Sequence, residues 1–238
     1  MTVSALQQLV DQSERIVFFG GAGVSTESGI PDFRSVDGLY SQTYDRPPEI
    51  ILSGAFFDER PEEFYRFYRD RMLFPSAQPN PAHRALAAWE RAGKLRAVVT
   101  QNIDGLHQEA GSRTVLELHG SVHRNHCRVC ARAFGLETIL NSVGVPRCPC
   151  GGIIKPDVVL YGEPLDDRLL RRAAEEIVEA DMLLVGGTSL AVYPAAGLLR
   201  YYRGNRLVLI NRTPTPADRD ADLLLSGSLG ELLSAVRV

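Results

Sequence analysis

Residues 20–34 read GGAGVSTESGIPDFR and follow an apolar run, RIVFF at 15–19, that is typical of a buried parallel strand. A strand that leads into Gly-Ala-Gly and then into a helix brings backbone N–H groups and a helix N-terminus to a point where a phosphate can bind. Gly21 and Gly23 permit the tight turn and the close approach of a pyrophosphate. The dinucleotide fingerprint G-x-G-x-x-G is incomplete, because Thr26 stands where its third glycine belongs. Alone, the pattern is a weak signal, since an ordinary strand-to-helix turn also fits it.

The continuation GIPDFR strengthens the prediction of a ligand site. Gly29 and Pro31 end any helix within two turns, so the chain leaves the sheet there. It carries with it Asp32, Phe33 and Arg34. A carboxylate, an aromatic ring and a guanidinium on an irregular loop beside a phosphate site predict a lid over a cofactor.

The composition is that of a globular protein. The chain has 238 residues, of which 45% are hydrophobic and 23% are charged, and this length suits one large domain or a domain with an insertion. The formal net charge of −3 does not indicate nucleic-acid binding. No apolar run reaches the length of a membrane span, and the first residues lack the features of a signal peptide. We therefore expect a cytoplasmic protein with no nucleic-acid or membrane partner, whose cysteines are not disulfide-bonded.

Runs typical of strands alternate with helical segments along most of the chain. Strands are expected at 15–19, 97–100, 115–118, 182–185, 207–210 and 223–225, and helices at 3–12, 61–73, 82–93, 166–180, 194–203 and from 229 onward. This alternation predicts an α/β fold with a Rossmann-like, doubly wound parallel sheet, in which ligands bind at the carboxyl ends of the strands. Polar groups follow the strands at 21–25, 101–104, His119, 188–189 and Asn211, which predicts a site at that edge.

The domain organisation follows from these elements and from one shift in composition. We assign residues 1–31, 79–121 and 157–238 to a Rossmann-like domain, which the family resemblance described below implies is an NAD-binding domain. Residues 32–78 are expected to form the helical and cofactor-loop part of a small domain. At 122–156 the composition shifts to Cys, Arg, Gly and Pro, which predicts an inserted zinc ribbon as the other part of that domain.

All four cysteines lie in this insertion, as Cys127-x-x-Cys130 and Cys148-x-Cys150. Two close pairs of thiolates would complete a tetrahedral shell around one structural Zn²⁺ and leave no open position for catalysis. Four unrelated buried thiols are the alternative. Because the second pair has a single intervening residue, His126 remains an alternative ligand.

Five blocks of the sequence resemble, in order, motifs of the sirtuins. They are GAGVSTESGIPDFR (21–34), TQNIDGLH (100–107), LHG (118–120), KPDVVLYGE (155–163) and GTSLAVYPAAGL (187–198). The resemblance implies a bacterial-type NAD-dependent protein lysine deacetylase that consumes NAD as a co-substrate and releases nicotinamide, O-acetyl-ADP-ribose and free lysine. The Cys-x-Cys pair departs from the family, which usually has at least two intervening residues there.

The resemblance also implies roles for individual residues. His119, within LHG, would be the catalytic base, a role that suits imidazole because its pKa lies near working pH. Asn102 would order the reactive geometry, although Asn and Asp are also favoured as helix caps. The implied NAD-binding residues are Gly21, Ala22, Gly23, Ser25, Asp32, Phe33, Arg34, Gln101, Asn102, Ile103, Asp104, Gly187, Thr188, Ser189, Asn211 and Leu229.

Two segments, 155–163 and 190–193, resemble those between which sirtuins hold an extended acyl-lysine peptide. Such binding would be strand addition, in which main-chain hydrogen bonds give affinity. The letters VVLY at 158–161 also fit an ordinary buried strand. The implied substrate-binding residues are Tyr68, Arg71, Val158, Leu160, Tyr161, Gly162 and Val192.

Acyl preference and reaction type remain open from the sequence. Tyr68 and Arg71 are neighbours on one helix face, with a spacing found in sirtuins that remove succinyl and malonyl groups. Tyr68 also continues the apolar face of Phe64 and Phe67, and PDFR contains the Asp of ordinary deacetylases. A protein ADP-ribosyltransferase shares the same chemistry at the ribose and is a further alternative. A dehydrogenase and a zinc-ribbon nucleic-acid adaptor fit the motifs less well.

Overall fold

Two β-sheets are present in the computed structural model, which describes residues 2–33, 38–39 and 46–238. The strands are β1 (Ile16–Gly20), β2 (Leu95–Thr100), β3 (Val115–Glu117), β4 (Gly120–Cys127), β5 (Ala133–Phe134), β6 (Ile154–Val158), β7 (Met182–Gly186), β8 (Leu207–Ile210) and β9 (Leu223–Leu225). Six strands form a parallel sheet in the order β3-β2-β1-β7-β8-β9. The other three form a small antiparallel sheet in the order β5-β4-β6.

Helices lie between the strands. The α-helices are α1 (Thr2–Asp11), α2 (Pro48–Ile51), α3 (Gly54–Glu59), α4 (Pro61–Arg71), α5 (Pro81–Arg91), α6 (Leu106–Glu109), α7 (Leu136–Leu140), α8 (Asp167–Glu179) and α9 (Leu229–Ser234). Short 3-10 helices span Ala22–Val24, Thr26–Ser28, Ala195–Tyr201 and Asp218–Asp220. Within the described residues, no helix combines the length and the apolar character that crossing a bilayer requires.

The large sheet is covered on both faces, which explains its unbroken apolar strands. Every residue of β1 and β7 is buried. Phe18 and Phe19 point to opposite faces, as neighbours in a strand must, and Phe18 packs in a core with Trp89 of α5. Phe19 packs on the other side with Ile177 of α8. The predicted α/β class is confirmed.

The order of the strands determines where a ligand can bind. The chain builds outward from β1 through β2 and β3, and later outward from β7 through β8 and β9 on the other side. The direction of winding therefore reverses between β1 and β7. In doubly wound sheets the crevice at the carboxyl ends of such a pair is the usual ligand site.

The small module combines helices α2–α4 with the small sheet and α7. Phe57, Phe64 and Tyr65 from the helices share one buried core with Ile139 and Ile154 from the ribbon. The small sheet extends two residues beyond the predicted 122–156 insertion at each end, since β4 begins at Gly120 and β6 ends at Val158. The proposed domain boundaries themselves stay a prediction.

Two of the predicted helices are of the 3-10 type. After β1 the chain forms two 3-10 turns around Ser25, and it ends them at Gly29, whose φ is 82°, within the two turns expected. Tight packing of Gly23 against Gly187 and the breaker pair at 29–31 leave no room for a longer helix. The segment predicted as a helix at 194–203 is also a 3-10 helix, in which Gly197 N–H donates to Pro194 O at 3.0 Å.

Candidate active site

A cavity of about 1190 Å³ opens at the carboxyl ends of the large sheet, beside the small module. Its lining includes every predicted cofactor, catalytic and substrate residue that the structure describes. Arg34 lies outside the described residues. The fold thus brings together side chains from five separate sequence blocks, although their individual roles stay predictions.

The nucleotide end of the cavity is shaped by close contact between the ends of β1 and β7. Gly23 N–H donates to Gly187 O at 2.8 Å, and a Cβ on Gly23 would lie 2.8 Å from Gly187 Cα. A Cβ on Gly21 would lie 2.8 Å from Thr188 Cβ. Only glycine allows this approach, which leaves a backbone-lined cradle at the switch point. The cradle fits the pyrophosphate of a dinucleotide such as NAD.

Amide side chains connect the ends of β2, β7 and β8. Thr188 N–H donates to Asn211 Oδ1 at 3.1 Å, and Asn211 Nδ2 donates to Thr188 O at 2.8 Å. Gln101 Nε2 donates to Thr188 Oγ1 at 3.0 Å. These three residues therefore order the rim of the cavity as well as lining it.

A second network joins the glycine turn to the 101–104 segment. Asn102 Nδ2 donates to Ser25 Oγ at 3.0 Å, and Ser25 Oγ donates to Asp104 Oδ2 at 2.7 Å. The other carboxylate oxygen of Asp104 accepts from Leu106 N–H at 2.9 Å, at the start of α6. This bond is an Asx turn just before α6, whose N-cap is Gly105 and makes no side-chain cap bond, so Asp104 is not the helix cap. The rest of the network faces the cavity.

His119 follows β3 and has a defined tautomer. Its Nδ1 lies 3.0 Å from Gln101 O, and a carbonyl oxygen can only accept, so Nδ1 carries the proton of the neutral ring. Burial lowers the pKa of His119 below its ordinary value, and the bond to Gln101 only partly offsets this. Near pH 7 the ring is therefore neutral, with an unprotonated Nε2 that can act as a base.

The other histidines of the chain are less suited to that role. His83 and His107 are fully buried, their rings are 4.7 Å apart, and neither lines the cavity. Desolvation lowers the pKa of His83 to about 4 and that of His107 well below its usual range. His123 lines the cavity, but its Nε2 is bonded to the Asp104 carbonyl at 2.9 Å.

The predicted peptide segment leaves the small sheet at the end of β6. Val159 N–H donates to His119 O at 3.0 Å, which fixes this segment relative to the candidate base. Tyr161 N–H donates to Leu52 O at 2.9 Å, so the segment also contacts the helical part of the module. Leu160 is buried and Tyr161 is 41% exposed. The buried-strand alternative holds only as far as Val158.

Tyr68 and Arg71 differ sharply in their surroundings. Tyr68 is fully buried and stacks on Phe64 with ring centroids 5.4 Å apart. Burial raises the pKa of Tyr68, and its hydroxyl has no hydrogen-bond partner among the described residues. Arg71 Nε lies 2.7 Å from Asp70 Oδ2. Both residues line the cavity, so the apolar-face interpretation of Tyr68 and the acyl-pocket interpretation are compatible.

The four cysteines form a candidate metal centre away from the cavity. Their sulfur atoms all lie within 4.8 Å of one another, and Cys127 Sγ is 3.4 Å from Cys150 Sγ. Zn–S bonds of about 2.3 Å in a tetrahedron would separate the sulfurs by about 3.8 Å. N–H groups of Cys130 and Val129 lower the pKa of Cys127 to about 6, which favours the thiolate. The set fits one Zn²⁺.

His126 does not belong to this centre. Its Nδ1 lies 2.8 Å from Asp157 Oδ1, across the small sheet. The single intervening residue of the second cysteine pair therefore does not require a substitute ligand.

Sequence reasoning missed one contact beside Leu229, at the edge of the cavity. Glu27 Oε1 accepts from Ser228 Oγ at 2.9 Å and from Gly230 N–H at 3.1 Å. This carboxylate ties the second 3-10 turn to the start of α9, next to Leu229. Nothing local in the sequence could reveal a contact between residues about 200 positions apart.

Known proteins resemble this chain over most of its length. The family model described as the Sir2 family matches residues 21–194. The chain is 56% identical over 238 residues to an NAD-dependent protein deacetylase of Clostridium acetobutylicum, covering 98% of this chain and 97% of the relative. It is 56% identical over 239 residues to an NAD-dependent protein deacetylase of Cutibacterium acnes, covering 100% and 98%.

Solved structures give the same result. A structure of Sir2 with a deacetylated p53 peptide and 3′-O-acetyl ADP ribose superposes with a TM-score of 0.91 at 39% identity, covering 99% of this chain and 97% of that one. Sir2 with a p53 peptide and NAD⁺ gives a TM-score of 0.86 at 41% identity, covering 98% and 96%. By family model, by full-length identity and by fold, the chain belongs to the Sir2 family.

Proposed function

We infer that the protein is an NAD-dependent protein lysine deacetylase. The observation that carries this conclusion is the single cavity that joins a dinucleotide cradle, a neutral histidine base and a peptide segment bonded to that histidine's own backbone. The two relatives named above match this chain over nearly their full length, and both are named NAD-dependent protein deacetylases. The substrates are acyl-lysine proteins or peptides.

NAD, when bound, supplies the electrophilic ribose carbon that takes the acyl group when nicotinamide leaves. Backbone around Gly21, Gly23 and Gly187 would hold the pyrophosphate, and Asn211 and Leu229 would contact the adenosine half. Ser25, Asn102 and Asp104 would orient the reactive half through their shared network. Much of the rate enhancement is expected from this positioning.

His119 would accept the proton of a ribose hydroxyl at Nε2. Its Nδ1–H is held by Gln101 O, so the imidazolium that forms retains an acceptor for one of its two N–H groups. Phe33, Leu39 and Ile103 line the same cavity with apolar surface and would exclude water from the reacting atoms.

The direct test is a reaction of the purified protein with NAD and an acetyl-lysine peptide, followed by mass spectrometry. We expect free lysine peptide, nicotinamide and O-acetyl-ADP-ribose in equal amounts. Labelled NAD separates this reaction from ADP-ribosyl transfer, because transfer would leave the label on protein. Label on protein with an intact acetyl-peptide would overturn the proposal.

A second candidate activity is removal of succinyl or malonyl groups. The observation that favours it is the buried Tyr68 hydroxyl that lacks a hydrogen-bond partner among the described residues and lines the cavity together with Arg71. A phenol and a guanidinium could hold a carboxylate by charge-assisted hydrogen bonds. Asp32 in the PDFR motif favours acetyl-lysine, so we keep deacetylation as the main activity.

We propose a structural role for zinc and a cytoplasmic location. The four sulfurs converge on one point with no carboxylate or histidine in the group, which supports a metal that holds the ribbon together. The same cysteines form a thiol cluster without disulfides, which suits a reducing compartment. Cell fractionation checks the location.

A further inference from the structure

A salt bridge spans the segment that lines the proposed peptide cleft. Lys155 Nζ lies 3.0 Å from Glu163 Oε2, and the two side chains are only 21% and 30% exposed. The same Oε2 accepts from Leu160 N–H at 2.9 Å. Lys155 Nζ also donates to Val158 O at 3.1 Å. Lys155 Nζ also donates to Pro156 O at 3.3 Å, so the pair binds two backbone acceptors and one backbone donor of the segment between its two members.

The other hydrogen bonds of this segment connect it to both sides of the cleft. Val159 N–H donates to His119 O, Tyr161 N–H donates to Leu52 O, and Gly54 N–H donates to Tyr161 O at 3.0 Å. Beyond β6 the segment is neither strand nor helix, so no regular ladder fixes its backbone. An isolated parallel bridge between Tyr161 and Ser53 fixes one end of it, and side-chain contacts add to the backbone bonds nearer β6.

We propose that Lys155 and Glu163 are positioning residues for the acyl-lysine peptide. By holding Val158 O and Leu160 N–H, they fix the peptide units on either side of Val159, whose N–H is bonded to the backbone of His119. The pair sets the distance between the bound acyl-lysine and the base without touching the reacting atoms. This inference rests on the proposed function, and in particular on peptide binding along 158–162.

The first test measures steady-state kinetics of Lys155→Met, with peptide and NAD varied separately. Loss of a partly buried charged hydrogen bond should raise KM for the acetyl-peptide roughly tenfold. KM for NAD should not change, because the glycine cradle and the 188–211 contacts are untouched. Glu163→Gln retains an amide oxygen that can accept from Leu160 N–H, so its peptide KM should rise only about threefold.

A charge-swapped variant, Lys155→Glu with Glu163→Lys, separates the ion pair from the backbone contacts. It restores opposite charges, but a lysine cannot accept from Leu160 N–H and a glutamate cannot donate to Val158 O. We expect the double variant to stay impaired in peptide KM. Full recovery would overturn the positioning role, because the ion pair alone would then be sufficient.

Two further variants serve as a control for the loss of a salt bridge and as a test of peptide binding in the cleft. Arg60→Met with Glu63→Gln removes a comparable salt bridge of 2.7 Å on the module surface and should leave both KM values unchanged. Tyr161→Ala reports on the cleft itself: an unchanged peptide KM in that variant would refute peptide binding along 158–162. If Tyr161→Ala weakens peptide binding while Lys155→Met does not, or if Lys155→Met raises both KM values together with a lower Tm, the positioning role is refuted.

Discussion

The large parallel sheet and the small ribbon sheet are stabilised by different means. Strands β1 and β7 are buried throughout and are covered by helices on both faces, so buried apolar area stabilises this part. In the ribbon, β5 has two residues, Val129 is 73% exposed and Val143 is 99% exposed. The buried core of the ribbon, which includes Ile139 and Ile154, is shared with the helices of the module, and a metal is expected to hold the exposed loops that carry the cysteines.

Because the two parts are stabilised differently, the residues proposed for catalysis and those proposed for substrate recognition depend on different sources of stability. The candidate base and the dinucleotide cradle lie on the apolar sheet, where backbone contacts fix them. The surfaces that would recognise the acyl group and the peptide lie on or next to the zinc-dependent module. Damage to the module should therefore affect substrate binding and local stability before it affects the NAD site.

Removing zinc is expected to have the largest effect, because it should destabilise the small sheet and leave the large sheet intact. Structural zinc sites contribute roughly 10 kcal/mol or more of apparent binding free energy, which is folding free energy for the ribbon. Chelation, or Cys148→Ala, should increase hydrogen exchange across β4–β6 while β1, β2 and β7 stay protected. Metal analysis should give one zinc per chain before treatment. Val143→Ser, at an exposed position of the same module, is the matched control. Unchanged exchange in a zinc-free protein would show that the ribbon has sufficient core of its own.

His119→Ala should have the opposite effect to zinc removal: it should lower the reaction rate and leave the stability of both sheets unchanged. Loss of a general base typically lowers the rate about 10²–10⁴-fold, while the melting curve and NAD affinity stay near those of the wild type. Single-turnover deacetylation and calorimetry are the two measurements. His126→Gln, in the ribbon, serves as the control and should keep both activity and zinc content. Near-normal turnover of a folded His119→Ala protein would assign the base to another residue.

Arg71→Met tests whether the module selects the acyl group. If Arg71 and the Tyr68 hydroxyl bind a carboxylate, the variant should lose about 1.5–3 kcal/mol in kcat/KM on succinyl-lysine and much less on acetyl-lysine. Peptides that differ only in the acyl group make this comparison. A wild type that ignores succinyl-lysine, or an equal loss on both substrates, would leave acetyl-lysine as the sole substrate and Arg71 as a structural residue.

The smallest expected effect is the change of kcat/KM with pH, which depends on His119 at the edge of the large sheet and not on the small module. The base must be neutral, and burial lowers the pKa of His119, so the neutral form persists below pH 6.5. The kcat/KM for the peptide should therefore stay constant as pH falls from 8 to about 6.5 and decrease only below that. An inflection above 6.5 would mean that a neighbouring group stabilises the charged ring, contrary to the observed burial.

Much of this molecule was predictable because its signals are local. All six strands of the parallel sheet appear as apolar runs, and the glycine turn, the four cysteines and the polar groups after the strands are visible in short stretches of sequence. Parallel strands bring their carboxyl ends to one edge, so residues such as Gly23, Asn102 and His119 had to converge there. The cavity that they line has the position expected from that rule.

Tertiary structure alone decided the rest. Gly187, more than 160 residues from Gly21 along the chain, packs against Gly23 and so fixes the position of the turns that follow Gly21. The tautomer of His119 is set by Gln101 O. Burial of Tyr68 against Phe64 leaves its hydroxyl without a hydrogen-bond partner in the part of the chain that the structure describes. The sequence by itself determined which residue types stand at the edge of the sheet. Which atoms touch there, and with which protons, was decided by packing, because hydrogen bonds and desolvation depend on distances of a few ångströms between chain segments that no local pattern encodes.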